Sequence, residues 1–127
     1  MSQQNPLILI IDDDKRNIFA LKLVLRTKGY TALSAHDAKT GIQMLKENPQ
    51  IGIVLMDMMM PEMDGFESIR KIRQTQAFKD LPIIAITAKA MAGDREKCIQ
   101  AGASDYISKP VDMDQLISLL RIWLYEK

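Results

Sequence analysis

The stretch Ile51-Gly52-Ile53-Val54-Leu55-Met56-Asp57 decides the fold of this 127-residue chain. Its first six residues are apolar and rich in branched side chains, a pattern typical of a strand buried on both faces of a parallel sheet. In an open α/β sheet, ligands bind in the crevice beyond the carboxyl ends of the strands. Asp57, which ends this strand, is therefore predicted to lie where such a sheet binds its ligand.

Three other apolar runs end in reactive side chains in the same way. The runs and the residues that follow them are Leu7–Ile11 with Asp12 and Asp13, Pro82–Ile86 with Thr87, and Tyr106–Ser108 with Lys109. Because the carboxyl ends of parallel strands meet at one edge, an acid pair, an acid, a hydroxyl and an amine are predicted to converge there.

Segments with helical spacing of apolar residues alternate with these strands. The predicted strands are 7–11, 30–35, 51–56, 82–86 and 106–108, and the predicted helices are 14–28, 37–48, 66–74, 94–101 and a terminal helix from about 112. This alternation implies an α/β fold with a parallel sheet and helices on both faces. We predict a single doubly wound, flavodoxin-like domain over residues 7–125, with strand order 2-1-3-4-5 and a disordered segment at 1–6.

Two details of the predicted helices can be checked directly. Asp14 and Asp37 are expected to be N-caps, and Gly29 is expected to follow the end of the first helix. The helix at 66–74 is expected to bury its apolar residues and to expose its basic residues, including Arg73.

The composition excludes several functional classes. The chain is 47% hydrophobic and 26% charged, with a net charge of +1, so no basic excess points to nucleic-acid binding. The single cysteine, Cys98, excludes a disulfide framework or a cysteine-based zinc site within this chain. No signal peptide is recognisable, and no apolar stretch reaches the ~18 residues of a membrane helix. We expect a cytoplasmic protein without nucleic-acid or membrane contacts.

The predicted acidic cluster of Asp12, Asp13 and Asp57 favours a metal site. Three adjacent carboxylates repel one another, so some are protonated or a cation lies among them. Hard oxygen ligands without a nearby histidine or cysteine suit Mg²⁺ or Mn²⁺. The alternative is a solvated acidic loop with helix caps, which is the preferred interpretation for Asp14.

The residues at the neighbouring strand ends favour a site for phosphoryl transfer. A carboxylate beside a divalent cation can act as a nucleophile on phosphorus and form an aspartyl phosphate. Lys109 would supply a second cation, and Thr87 a hydroxyl for one phosphoryl oxygen. Alone, Lys109 would be interpreted as a surface lysine and Thr87 as a helix cap. Their position on adjacent strand ends favours the phosphoryl site.

From Leu7 to about Leu124, the chain resembles a response regulator receiver domain of two-component signalling. The matching segments are Ile11–Asp13, Leu55–Gly65, Ile86–Ala88 and Tyr106–Pro110. The resemblance implies that Asp57 accepts a phosphoryl group from a phosphohistidine of a histidine kinase or a histidine phosphotransfer protein. It implies Mg²⁺ on Asp13, Asp57 and the backbone carbonyl of Met59, with Asp12 assisting through water. It also implies a cis peptide bond before Pro110.

The same resemblance implies a conformational switch. Phosphorylation would draw Thr87 and Lys109 toward the phosphoryl group, reshape the loop at 88–93 and move Tyr106 inward behind the hydroxyl. The face of the fourth helix, fifth strand and fifth helix would change, which would alter binding of a downstream protein target. The helix at 94–101 is the most polar and is expected to be the least firmly packed. Without the resemblance, Tyr106 would be interpreted as an ordinary half-buried strand residue.

Some residues carry weaker predictions. Met59 and Lys89 occupy positions that border the phosphoryl group in the family, and they are expected to tune its lifetime. His36, the only histidine, is expected to be a surface residue rather than a phosphorelay histidine. Cys98 is expected to be a small helix residue.

The function predicted is that of a phosphoacceptor domain that turns over no separate substrate. Three alternative functions fit the sequence less well. A haloacid-dehalogenase-like phosphohydrolase would need an acid two residues after the nucleophile, where this chain has Met59, and a cap domain does not fit the length. A flavodoxin-like mononucleotide binder would need phosphate donors after the first strand, where the acidic residues would repel phosphate. A binding-only receiver-like domain is disfavoured by the complete set of site residues.

The sequence leaves the molecular context of the domain open. The chain is interpreted either as a stand-alone receiver or as the receiver of a hybrid histidine kinase, which the stretch 94–103 resembles.

Overall fold

Five parallel strands form one sheet in the order β2-β1-β3-β4-β5, which confirms the predicted α/β fold. The computed structural model describes residues 6–60, 64–88 and 94–125. The strands are β1 (Leu7–Ile11), β2 (Ala32–Ala35), β3 (Ile51–Asp57), β4 (Ile83–Thr87) and β5 (Asp105–Ser108). The helices are α1 (Lys15–Thr27), α2 (Ala38–Glu47), α3 (Gly65–Gln74), α4 (Asp94–Ala101) and α5 (Met113–Tyr125), with a short 3₁₀ helix at Gln76–Phe78.

Two apolar clusters pack against opposite faces of the sheet. Alternate strand residues contribute to alternate clusters, because successive side chains of a strand point to opposite faces. The first cluster joins the sheet to α2, α3 and α4, and its members include Leu9, Val54, Ile83, Leu45, Ile69 and Cys98. The second joins the sheet to α1 and α5, and its members include Ile8, Ile53, Ile84, Leu21, Leu25 and Leu116. Helices therefore cover both faces, as predicted.

The predicted caps are confirmed, and they explain one difference in a strand boundary. Asp14 and Asp37 accept hydrogen bonds from backbone N–H groups in the first turns of α1 and α2. Gly29 has a φ of 87°, which suits a glycine after a helix. Tyr30 was assigned to the second strand, but its N–H donates to the Leu25 carbonyl oxygen at 3.0 Å. That bond closes the end of α1, and β2 begins at Ala32.

The prediction that Arg73 faces outward is wrong. Its guanidinium is half-buried and donates to the carbonyl oxygens of Gly102 at 2.8 Å, Phe78 at 2.8 Å and Leu81 at 2.5 Å. A fourth, longer contact of 3.4 Å reaches Ser104 Oγ. Burial lowers the pKa of Arg73 from its ordinary value. We call this arrangement the arginine clasp; it ties α3 to the segments that precede β4 and β5.

Several predictions fall on segments that are not described. Residues 1–5 of the predicted disordered segment, the turn residues 61–63 and the loop residues 89–93, which include Lys89, lie outside the described residues. The 3₁₀ helix at Gln76–Phe78 was predicted only as part of a linker. None of the helices in the described parts of the chain has the length and apolar character needed to span a bilayer.

Candidate functional site

The sheet register brings the reactive strand ends together, as predicted. Asp12 follows β1, and its N–H donates to the Ala35 carbonyl oxygen at the end of β2 at 3.0 Å. Asp57 ends β3 and pairs in register with Ile86 of β4. The Lys109 N–H donates to the Thr87 carbonyl oxygen at 2.6 Å, which continues the β4–β5 pairing. The residues that end or directly follow β1, β3, β4 and β5 therefore lie at one edge of the sheet.

The carboxylates of Asp12, Asp13 and Asp57 form a cluster at this edge. One oxygen from each lies within 4.8 Å of the others, which confirms their predicted proximity. Asp12 and Asp57 are 1% and 3% exposed, whereas Asp13 is exposed to solvent. The cluster therefore presents hard oxygen donors with one side open to solvent, a donor set that fits Mg²⁺ or Mn²⁺.

The surroundings of Asp57 shift its pKa in both directions. Its Oδ1 accepts the Met59 N–H at 3.0 Å and lies 3.3 Å from Lys109 Nζ. Burial raises the pKa of Asp57, and the nearby charge of Asp12 raises it further. The Met59 N–H and the Lys109 ammonium act in the opposite direction, but the pKa still lies above its ordinary value. Ionisation of this carboxyl group is consequently less favourable in the folded protein than in an ordinary exposed aspartate.

Thr87 carries a polar atom that is buried without a described partner. Thr87 is 6% exposed, and its Oγ1 accepts and donates no hydrogen bond within the described residues. Buried hydroxyls are normally paired, and an unpaired one costs stability. The alternative interpretation of Thr87 as a helix cap is not tested, because residues 89–93, which precede α4, lie outside the described residues. The hydroxyl is therefore a buried donor available at the edge that holds Asp57.

Tyr106 and Thr87 lie on the same face of the sheet. Tyr106 pairs in register with Ala85, two residues before Thr87 on β4, and side chains two residues apart in a strand share a face. Tyr106 is half-buried and packs against the cluster that includes α4. The peptide bond between Lys109 and Pro110 is cis, as the resemblance implied.

The remaining predicted residues are placed as follows. Met59 is 52% exposed, close in sequence to Asp57, and nothing described shows a role for its carbonyl oxygen. His36 is exposed, as expected for a surface residue, and Cys98 is buried in α4. The functional roles assigned to Asp12, Asp13, Asp57, Met59, Thr87, Tyr106 and Lys109 stay predictions.

One residue at this edge, Asn17, was not identified from the sequence. Asn17, in the first turn of α1, donates its side-chain amide to Asp12 Oδ2 at 2.5 Å. The other Asp12 oxygen accepts the Asp14 N–H at 2.9 Å. The available signal was the position of an asparagine three residues after the helix N-cap, directly behind the acidic pair.

Comparison with known proteins assigns the chain to a family. A family model described as the response regulator receiver domain matches residues 8–121. An uncharacterised 14.6 kDa protein of Leptolyngbya boryana is 38% identical over 115 residues, which cover 90% of this chain and 86% of that protein. The sensor histidine kinase GacS of Pseudomonas protegens is 32% identical over 126 residues. That match covers 97% of this chain but only 14% of the kinase.

A solved structure supports the same assignment. The receiver domain of the sensor histidine kinase PA1611 from Pseudomonas aeruginosa PAO1 matches with a TM-score of 0.84 and 33% identity. The match covers 94% of this chain and 98% of that domain, which was crystallised with a magnesium ion coordinated in its active site cleft. The chain belongs to the response regulator receiver domain family of two-component signalling.

Proposed function

We propose that this receiver domain accepts a phosphoryl group on Asp57 from a phosphohistidine of a partner protein. The observation that supports this most strongly is the buried Asp57 carboxylate between an acidic pair and the ammonium of Lys109, 3.3 Å away. A carboxylate needs no general base to become a nucleophile once it is ionised. The raised pKa of Asp57 makes that ionised form more basic than an ordinary aspartate.

In the transfer, an Asp57 carboxylate oxygen forms a bond to phosphorus as the phosphorus–nitrogen bond to the donor histidine breaks. The electron pair of that bond leaves with the imidazole nitrogen. Both described contacts of Asp57 fall on Oδ1, so we assign Oδ2 as the acceptor. Lys109 then stabilises the charge on the phosphoryl oxygens, and the Thr87 hydroxyl donates to one of them.

The residues of this edge also fit a divalent cation. We propose that Asp13, Asp57 and the backbone carbonyl of Met59 hold Mg²⁺ or Mn²⁺ and that Asp12 acts through water. A bound cation supplies charge neutralisation for the phosphoryl oxygens. The magnesium ion coordinated in the PA1611 receiver domain supports this assignment.

We further propose that phosphorylation switches the surface formed by α4, β5 and α5. Thr87 and Tyr106 share a face of the sheet, so movement of the hydroxyl toward the phosphoryl group opens space that the Tyr106 ring can fill. Tyr106 packs against the apolar cluster of α4, and its movement would therefore be felt by that helix. A downstream protein target would read this change.

The partners proposed are a histidine kinase or a histidine phosphotransfer protein as donor, and one protein target. The relation to the histidine kinase GacS is consistent with a receiver that functions within a kinase-based relay. A cytoplasmic location, the absence of turnover on a separate substrate, and the domain limits at 7 and 125 stay predictions.

Intact mass after incubation with a small-molecule phosphodonor and Mg²⁺ tests the proposal. We expect the gain of one phosphoryl group, lost when Mg²⁺ is chelated and lost in Asp57→Asn. Asp64→Asn is the matched control, because Asp64 is an exposed N-cap of α3 and asparagine caps equally well. A phosphoryl group that persists in Asp57→Asn, or no gain in a folded protein that binds Mg²⁺, would contradict the proposal.

Lys109→Ala tests the proposed switch. Because Lys109 is 31% exposed but its partner Asp57 is buried, urea denaturation of Lys109→Ala first establishes how much of the variant is folded under the conditions of the switch measurement. In the wild type, Tyr106 should become less exposed on phosphorylation, measured by solvent accessibility of its ring in NMR, and this response should be lost in Lys109→Ala. A wild-type response in the variant would remove Lys109 from the switch.

A further inference from the structure

We propose that Asn17 is a positioning residue that sets the affinity of the acidic cluster for Mg²⁺ by fixing the carboxylate of Asp12. This inference rests on the proposed cation site and deepens it. Asn17 contacts the cluster through its side-chain NH2 group, which donates a hydrogen bond to Asp12 Oδ2 and is not a metal ligand.

The two oxygens of Asp12 are held by two separate donors. The Asp14 N–H donates to Oδ1 at 2.9 Å, and the Asn17 amide donates to Oδ2 at 2.5 Å. One donor alone would allow the carboxylate to rotate about its terminal bond, whereas two donors on different oxygens fix its plane. Asp12 is 1% exposed, so bulk water offers little replacement for a lost donor. The remaining lone pairs of Asp12 are therefore directed by these two contacts.

Asn17 is itself fixed by the start of α1. Its backbone N–H donates to Oδ1 of the N-cap Asp14 at 3.4 Å, and the backbone N–H of Asp14 donates to Asp12. In a capping box, a Glu or Gln at this third helical position would reach back to the N-cap N–H. Here Asp12 accepts from that N–H, and the third residue donates to Asp12 instead. The hydrogen bonds thus form a closed circuit that links the helix start to the acidic cluster.

The chemistry of an asparagine side chain suits this task. Asparagine has a lower helix propensity than alanine, leucine or lysine, so helix formation alone does not favour it at this position. An aspartate would add a fourth carboxylate, and a lysine would place a competing ammonium beside the cation site. A short neutral donor is the side chain that orients Asp12 without changing the charge of the cluster.

Isothermal titration of Mg²⁺ into Asn17→Ala and wild-type protein tests the inference. We expect the dissociation constant to rise about tenfold in Asn17→Ala, the scale of losing a residue that orients a metal site. Asn48→Ala is the matched control, since the Asn48 amide donates to the Met44 carbonyl oxygen at the end of α2. Its Mg²⁺ affinity should equal that of the wild type, although its stability should fall. Equal Mg²⁺ affinities of Asn17→Ala and wild type would overturn this inference but not the proposed cation site.

A measurement on the wild type covers the case in which Asn17→Ala fails to fold. The side-chain amide resonances of Asn17 should shift during a Mg²⁺ titration and yield the dissociation constant measured by calorimetry. Resonances that stay fixed while Mg²⁺ binds would overturn the inference. A folded wild type that binds no Mg²⁺ would overturn both this inference and the proposed cation site, so the two failures are distinguishable.

Discussion

Each end of the sheet contains a charged side chain that is at least half-buried, and the two side chains differ in the partners that surround them. At the amino end, the guanidinium of Arg73 donates to three carbonyl oxygens and contacts a serine hydroxyl. At the carboxyl end, Asp57 lies beside two further carboxylates, with one ammonium at 3.3 Å. Thr87 adds a buried hydroxyl that has no partner within the described residues.

This difference distinguishes a charge that serves the fold from one that we propose serves the function. Burial disfavours both charged forms, since it lowers the pKa of Arg73 and raises the pKa of Asp57. The arginine clasp offsets that cost with hydrogen bonds to backbone groups that would otherwise need other partners. At the carboxyl end, three carboxylates stay close together despite their hydrogen-bond donors, and the Thr87 hydroxyl has no partner within the described residues. This is the arrangement expected where a ligand completes the site.

The largest expected effect comes from removing the arginine clasp. Arg73→Met keeps much of the apolar stem but leaves the carbonyl oxygens of Gly102, Phe78 and Leu81 without their donor. We expect a loss of about 2–4 kcal/mol in the free energy of unfolding, measured by urea denaturation. The folded fraction should still accept a phosphoryl group, because the clasp lies at the opposite end of the sheet from Asp57.

Arg70→Met is the control for this prediction. Arg70 lies on the exposed side of the same helix, α3, and its salt bridge to Glu67 spans 3.7 Å between two largely solvent-exposed side chains. Such pairs contribute about 0–1 kcal/mol, so this variant should lose much less stability than Arg73→Met. Equal losses in the two variants would remove the distinction between the clasp and an ordinary surface arginine.

A smaller effect of opposite sign is expected at the carboxyl end. Thr87→Val replaces the unpaired hydroxyl with a methyl group of similar size, so it should raise the free energy of unfolding by about 1 kcal/mol. The matched control is Thr27→Val, which removes a hydroxyl that donates to the Val24 carbonyl oxygen at 2.6 Å. That variant should gain no stability. A clear loss of stability in Thr87→Val would show that the hydroxyl contributes to the fold.

An effect of about the same size concerns an exposed carboxylate that caps a helix. Asp37 caps α2, and the backbone N–H of Thr40 donates to it at 2.6 Å, which lowers the pKa of Asp37. We expect Asp37→Ala to cost about 1 kcal/mol at neutral pH, measured by urea denaturation.

The pH dependence of this loss has a defined sign. A lowered pKa in the folded state contributes stability that is present above the ordinary aspartate pKa and is lost as pH falls through the folded value. The difference between wild type and Asp37→Ala should therefore shrink on acidification. Asp37→Asn, which keeps the cap without titrating, should lose less stability at neutral pH. A difference between wild type and Asp37→Ala that grows on acidification would contradict this assignment.

The fold and the meeting of strand ends were predictable because both follow from local patterns. Alternating strands and helices imply a parallel sheet, and a parallel sheet gathers its carboxyl ends at one edge. Asp14 and Asp37 were identifiable as caps because an N-cap contacts only residues two or three positions away.

The contacts of Arg73 and Asn17 were not predictable for a physical reason. Helical periodicity assigns Arg73 to the polar side, but its long stem can bend back, and its bonds reach carbonyl oxygens up to 29 residues away. The contact of Asn17 with Asp12 depends on the conformation of the Asn17 side chain, which helical periodicity does not specify. The cis bond before Pro110 was implied only by the family resemblance. Most bonds before proline are trans, so the local sequence alone would have predicted a trans bond.

We expect the carboxyl end of the sheet to lower the stability of the ligand-free protein, because its site is completed by a ligand. The direct test is the free energy of unfolding of wild type and Asp57→Asn at neutral pH, with chelator and with Mg²⁺. A raised folded pKa gives stability that is lost as pH rises through that value, so ionised Asp57 should weaken the fold. Asp57→Asn should therefore be more stable than wild type in chelator. Mg²⁺ at 100 times its dissociation constant should add about 2.7 kcal/mol to the wild type and much less to the variant. A less stable Asp57→Asn in chelator, with an equal response to Mg²⁺, would contradict the claim.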